Sequence, residues 1–290
     1  MAVNTSTAQP VTLSDVTAAF EEVYPPRWAA SWDAVGLVCG DPAQTVEKIL
    51  FAVDPVAAVV DEAVTWGADL VITHHPLMLR GVTSVAADTP KGRIVHRLIR
   101  SGVALYTAHT NADTAAPGVS DALARAVGLT GPLRPLEPDT TDPEGRRGIG
   151  RIGELDEPLV LRDFAERVAR GLPATAGGIR VAGDLDRLIS TVAVSGGAGD
   201  SLLGAARAAG VDAYVTSDLR HHPASEFIEE PGGPALLDTA HFASEWPWLE
   251  DGAARLADAL GRTGGPNGAN VEIRVSTTVT DAWSRTFQRV

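Results

Sequence analysis

Cysteine is all but missing from this 290-residue chain. Cys39 is the only one, which excludes an intramolecular disulfide framework and a thiolate metal cluster and fits a reducing, cytoplasmic compartment. No run reaches the ~18 apolar residues that a membrane span needs. The opening segment, MAVNTSTAQPVTLSD, lacks the basic and apolar regions of a secretory signal, so no membrane partner is expected. Basic residues are scarce as well. Lys and Arg number 24 against 37 Asp and Glu, a net charge of −13. No basic patch is visible, so a nucleic-acid polymer is not an expected partner. Hydrophobic residues at 44% and charged residues at 21% leave room for a packed core and exclude disordered, collagen-like and coiled-coil forms. The length suits one large or two ordinary domains.

Residues 1–10 read as a loose polar tail, and 11–24 as a short amphipathic helix stopped by Pro25 and Pro26. From residue 46, strands at 46–53, 69–73 and 103–108 alternate with helices at 55–66, 93–100 and 119–127. Gly67, Gly102 and Gly128 end those helices. Residues 131–150 are rich in Pro, Gly and charge and read as a linker or long surface loop. The pattern then resumes with a helix at 161–170, strands at 179–181, 188–194, 213–216, 235–239 and 271–275, and helices at 201–209 and 248–260. Strands separated by helices of this length imply βαβ units. The expected class is α/β. Two duplicated, intertwined halves, 1–130 and 151–290, carry mainly parallel or mixed sheets, with a metal site at the strand C-terminal ends between them.

Two places point to an internal duplication, the alternative being two α/β halves that resemble each other through shared propensity. WGADLVITHHP (66–76) parallels AGVDAYVTSDL (209–219), and YTAHTNAD (106–113) parallels DTAHFASE (238–245). In both copies Thr-Ala-His follows an apolar strand and a carboxylate stands four residues after the His. This pairs His109 with Asp113 and His241 with Glu245.

Six of the seven histidines fall shortly after strands; only His96, on a helix beside arginines, does not. His74 and His75 adjoin Pro76 at a strand end, where open α/β sheets place ligands. Imidazole suits zinc, iron, nickel and manganese, although a hydrogen-bonded histidine pair at a sheet edge would look the same. His241 and Glu245 share one face if a helix starts there, either as metal ligands or as a solvated pair. Asp113 can bridge two cations or simply cap a turn. Three strand ends of one sheet are expected to bring these groups together. Three His and two carboxylates suit a pair of divalent ions sharing a water. The glycines of SGGAGD (195–200) could cradle a phosphate or allow close packing on a neighbour; the Lys of a P-loop is missing. Trp246 and Trp248 could stack on a base but read more simply as core or subunit-contact residues, and Cys39 as a small buried hydrophobe.

In this order along the chain, SWDAVGL (31–37), ADLVITHHPLM (68–78), HTNAD (109–113), GGIRVAG (177–183), SGGAGD (195–200), YVTSDLRHH (214–222) and TAHFASE (239–245) resemble the Nif-three-like or YbgI-like dinuclear-metal proteins, often labelled GTP cyclohydrolase 1 type 2 homolog. The resemblance spans roughly residues 11–280. It implies metal ligands at His74, His75, Asp113, His241 and Glu245, with His109 beside the site as a weaker candidate. It places Asp218 and His222 in the same pocket, with Ser217 where Gly is usual. Glu245 or His222 would relay protons. The cofactors would be two divalent ions, zinc, iron, manganese or nickel. The resemblance also implies a homohexamer, and a hydrolase acting on a small, nucleotide-like substrate. The alternative is a non-catalytic metal-binding ring used in metal handling or protein interaction. The segment 131–150 stands where longer relatives carry an inserted domain.

Overall fold

The computed structural model describes residues 10–263 and 270–287; apart from Pro10, the expected N-terminal tail lies outside them. The chain forms two compact units, one from residues 1–112 with 249–278 and the other from 113–248 with 279–290. The segments of each half are thus not contiguous, and the division falls near residue 113 rather than 130. No helix among the described residues is long and apolar enough to cross a membrane.

The first unit opens with α1 (Leu13–Val23), started by a capping box in which Thr12 and Asp15 satisfy each other's backbone N–H groups. Then come β1 (Gly36–Cys39), β2 (Lys48–Ala52), α2 (Ala57–Trp66), β3 (Leu70–Thr73), α3 (Pro90–Arg100), β4 (Ala104–Thr107) and α4 (Thr110–Thr114). Helix α3 begins three residues earlier than the periodicity predicts. Thr89 Oγ1 accepts from Gly92 N at 3.0 Å, and Pro90 at the first position needs no N–H partner. The sheet order is β1-β4-β3-β2-β11, with β11 at Glu272–Val275. Only β1, absent from the sequence reading, runs antiparallel to its neighbour. Phe20 of α1 meets the rings of Tyr24, Phe51 and Tyr106 edge-on at 5.1–5.8 Å, which fastens α1 to β2 and β4.

The second unit contains α5 (Val119–Ala126), β5 (Arg134–Pro138), β6 (Gly148–Val160), α6 (Leu161–Gly171), β7 (Arg180–Ala182), β8 (Leu188–Ala198), α7 (Leu203–Ala208), β9 (Ala213–Ser217), α8 (His221–Glu229), β10 (Ala235–Thr239), α9 (His241–Glu245) and the start of α10 (Pro247–Thr263). Its sheet order is β5-β6-β8-β9-β10-β7. Strands β8, β9 and β10 are parallel, and the remaining pairings are antiparallel.

The segment 131–150, which reads as a linker, thus contains β5 and the start of β6. Its glycines and arginines conceal the strands, yet Arg151 on β6 is 1% exposed. Its guanidinium donates to Gly148 O and Gly150 O, both at 2.7 Å, and to Ala115 O, and it pairs with Asp121 at 2.8 Å. A buried charge so fully satisfied is tolerated in a strand that composition alone marks as loop.

The duplication has a concrete hydrogen-bond signature. Asp69 Oδ2 accepts from Glu47 N and Lys48 N at 2.8 and 2.9 Å, while Asp212 Oδ2 accepts from Ser190 N and Thr191 N, both at 2.9 Å. Each aspartate follows a left-handed glycine, Gly67 or Gly210, and opens the strand that leads to a functional motif. Both Asp69→Ala and Asp212→Ala are expected to strand two backbone donors at a strand start and to lower unfolding free energy by about 1–3 kcal/mol, as read by urea denaturation. Substitution by Asn, which keeps an acceptor, should cost clearly less.

Candidate metal centre

Strand β3 delivers the first two ligand candidates. Its pairing with β2 continues past Thr73, since His74 N donates to Ala52 O at 3.1 Å and His75 N to Val53 O at 2.9 Å. The Thr73 hydroxyl donates to His75 O at 2.9 Å. Adjacent side chains of an extended chain point to opposite faces, but this closure and Pro76 bring both rings to one place, with centroids 5.1 Å apart. Strand β4, next to β3, ends in Thr107-Ala108 and presents His109. Its ring lies 5.2 Å from that of His74 and 5.7 Å from that of His75. One ring nitrogen from each of these three histidines lies within 4.8 Å of the other two. His109, the weaker candidate from sequence, is therefore gathered with the HHP pair. Asp113 stands one turn further along α4, half-buried.

The ring nitrogens that face away from this cluster are all engaged. His74 Nδ1 lies 3.0 Å from Ala108 O, His75 Nδ1 2.7 Å from Asp54 Oδ1, and His109 Nδ1 3.0 Å from Asp33 Oδ1. A carbonyl or carboxylate oxygen can only accept, so each Nδ1 carries a proton, and in the neutral ring each Nε2 keeps its lone pair. This arrangement orients imidazoles that bind metals. Asp33 is itself held in place, with its side chain fully enclosed. It accepts from Thr110 N at 3.0 Å and from the Thr110 hydroxyl. Burial pushes its carboxyl upward, but the bonds from His109 and Thr110 outweigh burial and leave its pKa below the usual carboxylate value. Asn111 Nδ2 donates to Tyr24 O at 2.8 Å and so ties the start of α4 to the end of α1.

The second unit repeats the device. His241 opens α9 after β10, and its Nδ1 lies 2.7 Å from Asp218 Oδ2. Its Nε2 lies 3.0 Å from Glu245 Oε1, one helical turn on. With Nδ1 protonated against Asp218, Nε2 and the carboxylate oxygen are both electron-pair donors. Two donors at that separation suit a shared cation or a proton. Asp218 has φ +56, an uncommon conformation that Asp tolerates better than most residues. Beside it, the Ser217 hydroxyl donates to Gly197 O at 2.6 Å. The expectation that all three motifs end strands of one sheet is not met. His74, His75 and His109 follow strands of the five-stranded sheet, whereas His241 follows β10 of the six-stranded sheet.

Strand β8 extends four residues past its predicted end and takes in most of SGGAGD. There the glycines serve close packing. Gly197 has φ +70, and a Cβ on it would stand 2.6 Å from Glu245 Oε1 and 3.3 Å from His241 Nε2. Gly197 N donates to Ser244 Oγ at 2.9 Å. His222 lies exposed on the first turn of α8, with its ring 5.1 Å from that of His221. His96 is exposed on α3, Cys39 is half-buried, and Trp248 is fully buried. Sequence reasoning gave no role to Asp33 or Asp54. Asp33 was present in the SWDAVGL motif, whereas Asp54 carries no signal beyond its place just after a strand.

Gly197→Ala is expected to destabilise the fold by more than Gly210→Ala, as compared by urea denaturation. Both positions need a left-handed backbone, which costs a side-chain-bearing residue ~1–2 kcal/mol. Gly210 opens onto free space, while at Gly197 overpacking adds about 1–3 kcal/mol.

The profile of the Duf34/NIF3 (NGG1p interacting factor 3) family matches residues 11–281. A Streptomyces coelicolor protein named GTP cyclohydrolase 1 type 2 homolog is 58% identical over 272 residues, covering 94% of this chain and 93% of that protein. A Mycobacterium tuberculosis protein of the same name is 40% identical over 377 residues, covering 94% and 97%. The crystal structure of a Bacillus cereus protein related to NIF3 superposes with a TM-score of 0.86 at 25% identity, covering 96% of this chain and 100% of that one. This chain belongs to the DUF34/NIF3 family.

Proposed function

We propose that this protein binds two divalent metal ions and uses them as a hydrolase of the GTP cyclohydrolase 1 type 2 kind, on a small, nucleotide-like substrate. The observation that carries the reading is the shared state of four histidines. His74, His75, His109 and His241 each have Nδ1 against an oxygen acceptor, and this directs four Nε2 lone pairs away from those oxygens. The ligands are His74, His75, Asp113, His241 and Glu245, with His109 beside them. The donor set is nitrogen and carboxylate oxygen, which suits zinc, iron, manganese or nickel. Bound ions supply Lewis-acid chemistry, acidifying water and neutralising charge that develops on a substrate oxygen.

The chain's own groups supply orientation and proton transfer. Asp33, Asp54 and Asp218 hold three imidazoles in one tautomer. Glu245 is 3% exposed, and it or His222 receives and returns a proton during hydrolysis. The names of the curated relatives support the nucleotide-like substrate class. We further propose a cytoplasmic homohexamer, which light scattering would record as six times the 30.2 kDa chain mass.

Elemental analysis of protein purified without oxygen should find two ions per chain. Asp113→Ala and Glu245→Ala should lower that ratio, while His96→Ala should leave it unchanged. Asp54→Ala should weaken ion affinity about 10- to 100-fold, as measured by chelator competition. A chain that stays metal-free under saturating ion sinks the proposal. Full metal loading with no turnover across a nucleotide panel, together with fast ion transfer to an acceptor, would assign the protein to metal handling instead.

A further inference from the structure

Trp32 stands beside the histidine cluster with its indole 61% exposed. The segment that carries it is firmly held. Ala30 N donates to Thr110 Oγ1 at 2.9 Å. Asp33, the next residue, accepts from His109 Nδ1 at 3.0 Å and Thr110 N at 3.0 Å. Both sides of position 32 are therefore pinned to the residues that begin α4, while the large apolar ring between them stays in water. Its centroid lies 6.0 Å from that of the His109 ring, with the planes at 78°. Leaving an indole in solvent forgoes the burial that aromatic side chains ordinarily gain. A pinned, solvent-facing ring next to a ligand cluster is pre-organised to bind.

We propose that Trp32 is a stacking platform for the planar ring of the nucleotide-like substrate. This inference rests on the metal-site reading for its location and names the part of the substrate that the histidine cluster does not touch. A flat, electron-rich indole offers its π-face to a flat aromatic ring, which covers it by stacking, whereas an aliphatic acid has no flat surface to match it. Trp32 acts as a positioning residue. It sets where the ring lies relative to His74, His75 and His109 and leaves the orientation of those imidazoles to Asp33, Asp54 and Ala108 O.

The test is calorimetric titration of the full-length protein with guanosine, with ribose as the ringless control. It is run with metal loaded and again after chelation. Wild type should bind guanosine and not ribose in both states. Trp32→Leu should weaken guanosine binding about tenfold or more, Trp32→Phe should recover most of the loss, and both variants should keep wild-type metal content and assembly mass. Equal guanosine affinity in Trp32→Leu and wild type overturns the proposal, as does a wild type that binds no guanosine after chelation. A Trp32→Leu variant that changes the assembly mass also overturns it, by making Trp32 a subunit contact. Failure of metal loading with guanosine binding intact would count against the metal-site reading and leave the stacking role standing.

Discussion

The hydrogen bond from an imidazole Nδ1 to a fixed oxygen is the interaction on which the rest of this structure depends. A free imidazole exchanges tautomers and rotates about two torsions; one bonded to Ala108 O, Asp54, Asp33 or Asp218 does neither. The acceptors come from places that the fold can hold rigidly. Ala108 lies directly after β4, Asp218 directly after β9, Asp54 two residues after β2, and Asp33 in a segment clamped by Thr110. Parallel strands set these positions because their ends are fixed by the ladder and not by loop packing.

The same plan is used in both units. An aspartate braces the start of a parallel strand, the strand runs through a buried stretch, and Thr-Ala-His follows on the neighbouring strand. The match between Asp69 and Asp212, down to two backbone donors each, is a stronger sign of duplication than shared propensity. The copies have since diverged at their ends. In the first unit the strand leads into His74 and His75, while in the second it leads into Ser217 and a left-handed Asp218. The glycines of SGGAGD belong to this divergence. They let the β8 backbone pass against Glu245 and His241 where any side chain would collide.

Strongly periodic elements were readable from sequence. The strands at β2, β3, β4, β9 and β10, and the helices ended by glycine, fall within a few residues of their expected places, because burial of both sheet faces leaves an unbroken apolar run. Strands β1, β5 and β6 escaped notice. Their residues include glycines, prolines, Asp and Arg, and what makes them strands is pairing, of β5 with β6 in a hairpin and of β1 and β6 with the distant β4 and β8. Arg151 illustrates the point, since an arginine reads as surface until its carbonyl and Asp121 partners are known.

The sequence by itself determined the α/β class, the duplicated Thr-Ala-His motifs and the identity of the ligand candidates, because these depend on local periodicity and on residue chemistry. Tertiary structure decided which oxygens hold the imidazoles, that His109 joins His74 and His75, and that His241 follows a strand of the other sheet. Those outcomes depend on strand order and on contacts between residues as far apart as Asp33 and His109. Spacing along the chain carries no information about which strand ends become neighbours.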